Sequence, residues 1–483
     1  MTTQGSGLPK RNRDTMVVRK LVTASDALAS VKLVSLAYTG FKLYLDQKVL
    51  ERAKAVMKRA DLDYMDTFGL FDSVSDFAVH NDVAPAVGAG SDDVDFSTVT
   101  PTNGLVAQWV QYTWRMNLFG TLCPVGGLGG VATHHLHKKQ GLAKILVMEY
   151  LDECDRRNQA IATLYPFRTD FYAKMGFASA SPYYDYVIRP SSLPLALVAS
   201  NHRIDVLMHN LAEPDANEML ACYARYVLQH HGAIEKKVEA FDGIWKSKGE
   251  IRAYGYRDPE TNELQGFLIY EFLSTDMSKF VNDLKIIDLV CENPTALSTF
   301  LTFLRLQDDQ IRFVRYSTPD AEFHRVLESA FHDAEGFQRD NAGGSGGVMS
   351  ALASTYLGFM FRVVNIEKLF GGYLQHRNFN NVTAKVLFRV KDTLTPEKNP
   401  VVLVAFTAGV VSSVEHIVDG HAISADVIQL VTDVSSFSAV VVGAANLSTF
   451  LRYGKAVVTP AHKQRTLEQL FRVDEAPINY VFF

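Results

Sequence analysis

Gly129-Gly130-Val131-Ala132-Thr133-His134-His135-Leu136-His137-Lys138-Lys139-Gln140-Gly141-Leu142-Ala143-Lys144 is the stretch on which the fold turns. Its first residues are small and apolar and read as a strand. Its middle is a basic turn closed by Gly141, and its end opens a helix expected from Gly141 to Arg157. Leu142, Ile145, Leu146, Glu149, Tyr150, Glu153 and Cys154 recur at helical spacings of three and four, which gives that helix one inward face. A helix start leaves its first N–H groups without intrahelical partners and carries partial positive charge. A basic, glycine-containing turn at that point therefore suits a phosphate. Further on, Phe171-Tyr172-Ala173-Lys174-Met175-Gly176-Phe177 places a tyrosine one turn before a glycine stop.

Working outward, Val17–Val22 reads as a strand, Ser25-Asp26 caps a helix to about Tyr38, and Tyr44–Ala60 is a second helix. Asp66–Phe71 and Leu105–Tyr112 read as adjacent strands. Between them, Asp72–Asn103 holds six aspartates, two prolines and no Lys or Arg, the composition of a long loop that is either a disordered insertion or a lid. Leu118–Thr133 reads as strand-turn-strand because of its five glycines, Ala160–Tyr165 and Tyr184–Ile188 as strands, and Pro190–Pro194 as a linker. The alternation of strands and helices implies an α/β sheet with crossovers. From Arg203 the pattern begins again. Helices are expected at Asp215–His230, Glu235–Lys246 and Ala296–Leu306, and strands at Ile251–Tyr256, Glu263–Leu273 and Leu284–Cys291, with no basic Gly turn opening a helix. Asn341–Gly347 (NAGGSGG) is a flexible break. A last α+β unit then carries strands at Phe359–Val364, Thr383–Val390 and Val401–Phe406, and helices at Ser424–Val431 and Ala445–Gly454.

The 483 residues are too many for one core and imply roughly three domains. With 47% hydrophobic and 21% charged residues the chain is ordinary for a soluble globular protein. A net charge of −5 argues against nucleic acid as a partner. Cys123, Cys154, Cys222 and Cys291 are scattered without a CxxC pair, which points to neither a disulfide framework nor a zinc site. Met1–Thr15 has no apolar core of a secretory signal, and the apolar run Val401–Val411 is about half the length of a membrane span, so a cytoplasmic protein without a membrane partner is expected. His134, His135 and His137 lack a fourth ligand or an HExxH helix and are not read as a metal site. Trp109 and Trp114 read as core rather than as a ligand cage.

These motifs, in this order, resemble the enhanced intracellular survival family of GNAT N-acetyltransferases. The matching segments are GGLGGVATHHLHKKQGLAKILV and RTDFYAKMGF, followed by MFRVVNIEKLF, ADVIQLV, LSTFLRYG and LEQLFRVDEAPINYVFF. The resemblance implies an α/β and α+β multi-domain chain: a GNAT domain over 17–190 with the insertion 72–103, a second, degenerate GNAT domain over 191–340, and a sterol-carrier-protein-like domain over 355–483. Lys138 stands where the family motif usually has Arg or Gln, so it would hold phosphate as a point charge without a bidentate fork. The insertion is longer than the family's.

The resemblance also implies acetyl-CoA as co-substrate and no metal. Ala132, Thr133 and His134 would lie beside the pantetheine arm through main-chain groups. Lys138, Lys139, Gln140, Gly141, Leu142, Ala143, Lys144 and Ile145 would form the pyrophosphate turn, and Phe167 and Arg168 would touch the adenine and pantetheine side. Tyr172 would be the proton donor, since a phenol with pKa near 10 is protonated at neutral pH and can protonate a departing thiolate. The α-carboxylate of Phe483 would be the proton acceptor; at an ordinary pKa near 3.5 it needs burial or a relaying water for that task. Blander readings stand beside these: a plain strand-to-helix turn, a packed Tyr172, a solvated Arg168, and a Tyr480–Phe483 ending that only fills the core.

The activity implied is transfer of acetyl to a primary amine (an aminoglycoside, polyamine-like or lysine acceptor) by direct attack in a ternary complex, in a homo-oligomer that the family makes a hexamer. One rival is a catalytically inactive acyl- or lipid-binding module built on the sterol-carrier-like unit. Another is an enzyme using longer acyl-CoA.

Overall fold

The computed structural model describes residues 11–38, 47–60, 62–72, 95, 99–195, 204–207, 213–241, 251–274, 281–329, 337–338, 349–350, 352–418 and 424–483. The Asn341–Gly347 break, and all of the 72–103 insertion except Asp72, Asp95 and 99–103, lie outside them.

The first elements are β1 (Met16–Lys20), α1 (Ala24–Ala37), α2 (Gln47–Ala60), β2 (Met65–Asp72), β3 (Leu105–Leu118), β4 (Thr121–Thr133), α3 (Leu142–Arg156), β5 (Ile161–Leu164), α4 (Thr169–Ala173) and β6 (Ala178–Ser179). Thr23 starts α1 with a capping box: its hydroxyl accepts from the Asp26 N–H, and the Asp26 carboxylate accepts from the Thr23 N–H. β3 and β4 form one long hairpin, so the glycines of 121–133 do not break the strand as the sequence implied. The inward face of α3 is as expected: Leu142, Ile145, Leu146, Tyr150 and Cys154 are buried, each large apolar side chain adding about 1.5–3 kcal/mol of transfer energy.

Next come β7 (Tyr183–Ile188), β8 (Ile204–Val206), α5 (Glu213–Gln229), β9 (Ile251–Arg257), β10 (Leu264–Ser274), β11 (Asn282–Cys291), α6 (Pro294–Arg305), β12 (Ile311–Thr318), the short pair β13 (Phe337–Gln338) and β14 (Met349–Ser350), and β15 (Ser354–Tyr356). The helix expected over 235–246 is absent from its described part: after an isolated bridge at Ile234, only a 3-10 turn forms at Val238–Phe241. Lys236 explains this locally, because its buried ammonium pairs with Asp288 of β11 at 2.6 Å and holds the segment extended. Residues 190–194 are not a free linker; Pro190, Ser192 and Leu193 are buried around a 3-10 turn.

The last elements are β16 (Met360–Val363), β17 (Ala384–Lys391), β18 (Val402–Thr407), β19 (Val410–His416), β20 (Ile428–Asp433), α7 (Val434–Val441), α8 (Leu447–Arg452), β21 (Ala456–Thr459) and α9 (Gln464–Phe471). The helix expected over 424–431 is instead the strand β20. Ile428, Leu430 and Thr432 alternate inward, and the strand pairs on both sides, parallel to β17 and antiparallel to β21. Period-two burial along the strand outweighs a spacing that could also be read as helical.

Among the described residues, three large sheets stand beside the two-stranded β13-β14 pair. Their orders are β1-β2-β3-β4-β5-β16-β6, β15-β7-β12-β11-β10-β9-β8 and β19-β18-β17-β20-β21. The first two have the same plan, an antiparallel meander ending in one parallel pair (β4 with β5, β11 with β12) and closed by antiparallel strands. They also exchange strands. β7 leaves the first unit to pair with β12, and β16, from beyond the second unit, fills the place between β5 and β6. The third is a mixed sheet with α7, α8 and α9, whose Phe388, Phe437 and Phe471 belong to one apolar cluster with Met116, Val125 and Phe361 of the first sheet.

Two buried polar nodes join the units. Arg362 of β16 pairs with Asp392 at 2.5 Å and donates to the Met175 carbonyl at 2.5 Å. His231, after α5, accepts the Phe119 N–H on Nδ1 at 3.2 Å, so its Nε2 carries the proton donated to the Val442 carbonyl at 2.9 Å. Burial holds that imidazole neutral, with its pKa pushed down to about 4.

Candidate active site

β4 and β5 run parallel only over Gly126–Ala162, Gly127–Thr163 and Leu128–Leu164. β5 ends there, while β4 continues to Thr133. Opposite Trp109, β4 carries two residues, Gly130 and Val131, where β3 has one; Gly130 has φ +54°, and the bulge bends β4 away from β5. Beyond Leu128, among the described residues, no strand pairs with this edge of β4. The sheet opens into a fork whose one wall is main chain.

Ala132 is buried in that wall, and Thr133 and His134 follow it, with the His134 N–H tied to the Val106 carbonyl. The Tyr38 hydroxyl, just past α1, donates to the Val131 carbonyl. A 3-10 turn over His135–His137 leads to Lys138, Lys139 and Gln140. Gly141 caps α3 at φ +89°, a left-handed conformation costly for a side chain, and open space lies where its Cβ would be. The first N–H groups of α3, on Leu142 and Ala143, thus face an uncrowded basic turn, with Lys144 and Ile145 already bonded back to Gly141. The His134, His135 and His137 rings cluster at 4.7 and 5.5 Å. Among the described residues no group of His, Cys, Asp or Glu is arranged to hold a metal ion.

Tyr172, on α4, is 3% exposed and packed edge-on against Phe171, Phe177 and Phe167. Burial, with the neighbouring Tyr38 phenol adding, holds its hydroxyl well above the ordinary phenol range, so it is protonated at neutral pH. Phe167 is exposed, and Arg168 is exposed and paired with Asp170.

Phe483 lies at the fork itself. Its ring is 5.1 Å from Tyr112, 5.7 Å from Trp114 and from Tyr165, and 6.0 Å from Phe359. A Cβ at Gly127 would stand 2.8 Å from this ring, so the approach needs glycine. Tyr165 immediately follows β5. The terminal residue therefore meets both strands within one residue of their last paired position. The tail is fixed there by bonds from Ser181 to the Pro477 carbonyl (2.9 Å), Tyr165 to the Val481 carbonyl (3.0 Å), and Tyr480 to Thr318 (2.9 Å).

The aromatic wall of Tyr112, Trp114, Tyr165 and Phe359 was not singled out as a site from the sequence. The available signal was the spacing of Tyr112 and Trp114, which puts both on one face of β3, where their rings stack at 5.5 Å. Trp109 is core, stacked on Phe68. The Trp114 indole N–H is buried with no hydrogen-bond partner among the described residues.

The second sheet repeats the plan without this chemistry. Between β11 and α6 stand only Glu292 and Asn293, the Asn293 side chain caps Ala296, and Pro294 removes an N–H from the first turn. An acidic, capped helix start repels a phosphate.

An antiparallel meander, a single parallel pair that splays, and a basic turn onto the following helix define the acetyltransferase fold of the GNAT class. Residues 92–180 match the acetyltransferase (GNAT) domain, and residues 232–336 match a second acetyltransferase (GNAT) domain family. The chain thus carries two acetyltransferase (GNAT) domains, and such domains take acetyl-CoA as co-substrate and amines as acceptors. It is similar over its length to Eis1 from Mycobacterium abscessus (TM-score 0.67, 16% identity, 97% of this chain and 100% of the other covered). A GCN5-related N-acetyltransferase from Anabaena variabilis gives TM-score 0.67 at 14% identity, with 97% and 100% covered. A probable N-acyltransferase from Enterococcus faecalis gives 0.69 at 14%, also with 97% and 100% covered. At these identities the likeness is one of fold. No curated protein matches the chain in sequence. Among the described residues no helix is long and apolar enough to cross a membrane.

Proposed function

We propose that the fork between β4 and β5 binds acetyl-CoA and that the chain transfers acetyl to a primary amine by direct attack in a ternary complex. What supports this reading is the splayed edge of β4 with the Phe483 ring at its fork, together with a buried, protonated Tyr172 that neighbours Tyr38, whose hydroxyl bonds the Val131 carbonyl of that edge. Ala132, Thr133 and His134 line the pantetheine arm. Lys138 to Ile145 take the pyrophosphate, with Phe167 and Arg168 at the adenine side once Arg168 turns from Asp170. The amine nitrogen bonds to the acetyl carbon, its proton passes to the Phe483 carboxylate directly or through water, and the carbon–sulfur bond breaks as Tyr172 protonates the leaving thiolate.

An aminoglycoside, a polyamine-like molecule or a lysine side chain fits an aromatic wall that attracts ammonium groups through its ring faces. On this reading the chain is kin to the enhanced intracellular survival enzymes and works in the cytoplasm as a homo-oligomer, a hexamer by that kinship. The 17–190 unit carries the chemistry, the 191–340 unit is its degenerate copy, and the 355–483 unit is sterol-carrier-like and delivers Phe483 rather than carrying lipid. Calorimetry with acetyl-CoA and CoA, followed by thiol release with aminoglycosides and polyamines, tests the proposal. Binding with acceptor-dependent thiol release supports it; no binding at millimolar coenzyme removes it and leaves the lipid-module reading.

A further inference from the structure

Outside the elements of the fork, a segment from the start of the chain reaches the basic turn. The Arg11 main-chain N–H donates to the Gln140 carbonyl at 2.9 Å, and its Nε–H donates to Gln140 Oε1 at 3.2 Å. Its Nη1 pairs with Asp72 at the end of β2 at 2.6 Å. Two residues on, Arg13 bonds Glu149 and Asp152 of α3, which lays the whole segment along the helix that the turn opens. Gln140 is therefore held at both main chain and side chain, and through Arg11 the turn is braced against β2.

The polarity of the contact matters. A guanidinium has donors and no acceptor, so the Gln140 amide must present its oxygen to Arg11 and turn its NH2 away. Without that restraint the amide is free to flip, and its oxygen would repel a phosphate in the turn. We infer that Arg11 is a positioning residue for coenzyme binding: it locks the Gln140 carboxamide with its NH2 available to the pyrophosphate, and fixes the turn whose N–H groups bind it. This rests on the proposed reading of residues 138–145 as a pyrophosphate turn. Arg11 itself is already committed to Gln140 and Asp72 and need not touch the coenzyme.

Binding of acetyl-CoA and of S-acetylpantetheine, which lacks the phosphates, separates this role from a structural one. Arg11→Met should weaken acetyl-CoA about tenfold, the order of one lost charge-assisted hydrogen bond, and leave S-acetylpantetheine affinity and turnover number unchanged. Gln140→Ala should weaken acetyl-CoA by a similar factor, and the double variant should lose no more acetyl-CoA affinity than either alone, because both act through one amide. Unchanged acetyl-CoA affinity in Arg11→Met, an equal loss for both ligands, or additive losses would overturn the inference. Gly141→Asp distinguishes its failure from that of the underlying reading. If Gly141→Asp weakens acetyl-CoA while Arg11→Met does not, only the role of Arg11 falls; if neither weakens it, the pyrophosphate turn is misplaced.

Discussion

Arg362 and Asp392 form an ion pair at 2.5 Å in which both side chains are out of reach of solvent. The pair is a hinge pin between the first sheet and the last unit. Thr395 and Asn399 complete the Asp392 shell, and the other guanidinium nitrogen holds the Met175 carbonyl in the turn that follows Tyr172. Removing one partner leaves a buried charge, so Arg362→Met and Asp392→Ala should each cost about 3–5 kcal/mol. Their combination with packed apolar residues should cost clearly less than the sum. Denaturant unfolding of the two single variants and the double variant measures this, and additive losses would mean the pair is not coupled.

His231 predicts a pH dependence of stability. Its folded pKa of about 4 lies below the ordinary imidazole value. Below about pH 6.5 the unfolded chain takes up a proton that the folded chain refuses, so stability falls as pH drops toward 4, by about 3 kcal/mol for a shift of this size. Thermal unfolding from pH 7.5 to 4.5 should show this loss in wild type and a shallower one in His231→Asn. Equal slopes would assign the acid sensitivity elsewhere.

Tyr172→Phe keeps the packing against Phe171 and Phe177 and removes the acid. Turnover should fall roughly 100-fold, in the range of general acid catalysis, while the acetyl-CoA dissociation constant stays within about twofold. A variant with wild-type turnover would take Tyr172 out of the mechanism.

Extending the chain past Phe483 by two glycines moves the carboxylate from the fork while leaving the bonds at Pro477, Asn479 and Val481 in place. Turnover should drop roughly 100-fold, the scale of a lost general base, with unfolding temperature preserved. A fully active extended enzyme would falsify the assignment of the base.

The segment from Gly129 to Arg157 was legible because each of its signals is local: a small-residue strand, a basic turn, a glycine at a left-handed position and a 3.6-residue period. The recurrence of the first unit's pattern after Arg203 was legible for the same reason, and so was the missing phosphate turn before α6. What failed depended on distant partners. Ile428–Asp433 has a helix-compatible spacing, and only β17 and β21 on its two sides make it a strand. Residues 235–237 are held out of a helix by the pairing of Lys236 with Asp288, a residue of β11. The aromatic wall around Phe483 collects side chains from β3, β16's approach and the end of β5, a meeting that no window of sequence contains.

The placement of β16 has a consequence for how the molecule is made. β5 is complete at Leu164, yet the neighbour that covers its far edge begins only at Met360. At translation speeds of about 5–20 residues per second, that edge waits roughly 10–40 seconds for its partner. Through that interval the far edge of β5, a strand buried along its whole length in the finished fold, lacks its neighbour, the kind of edge that recruits other chains. The acetyltransferase sheet is therefore finished late and from outside, so a ribosome that stalls in the second unit releases a chain whose first sheet lacks its closing strand.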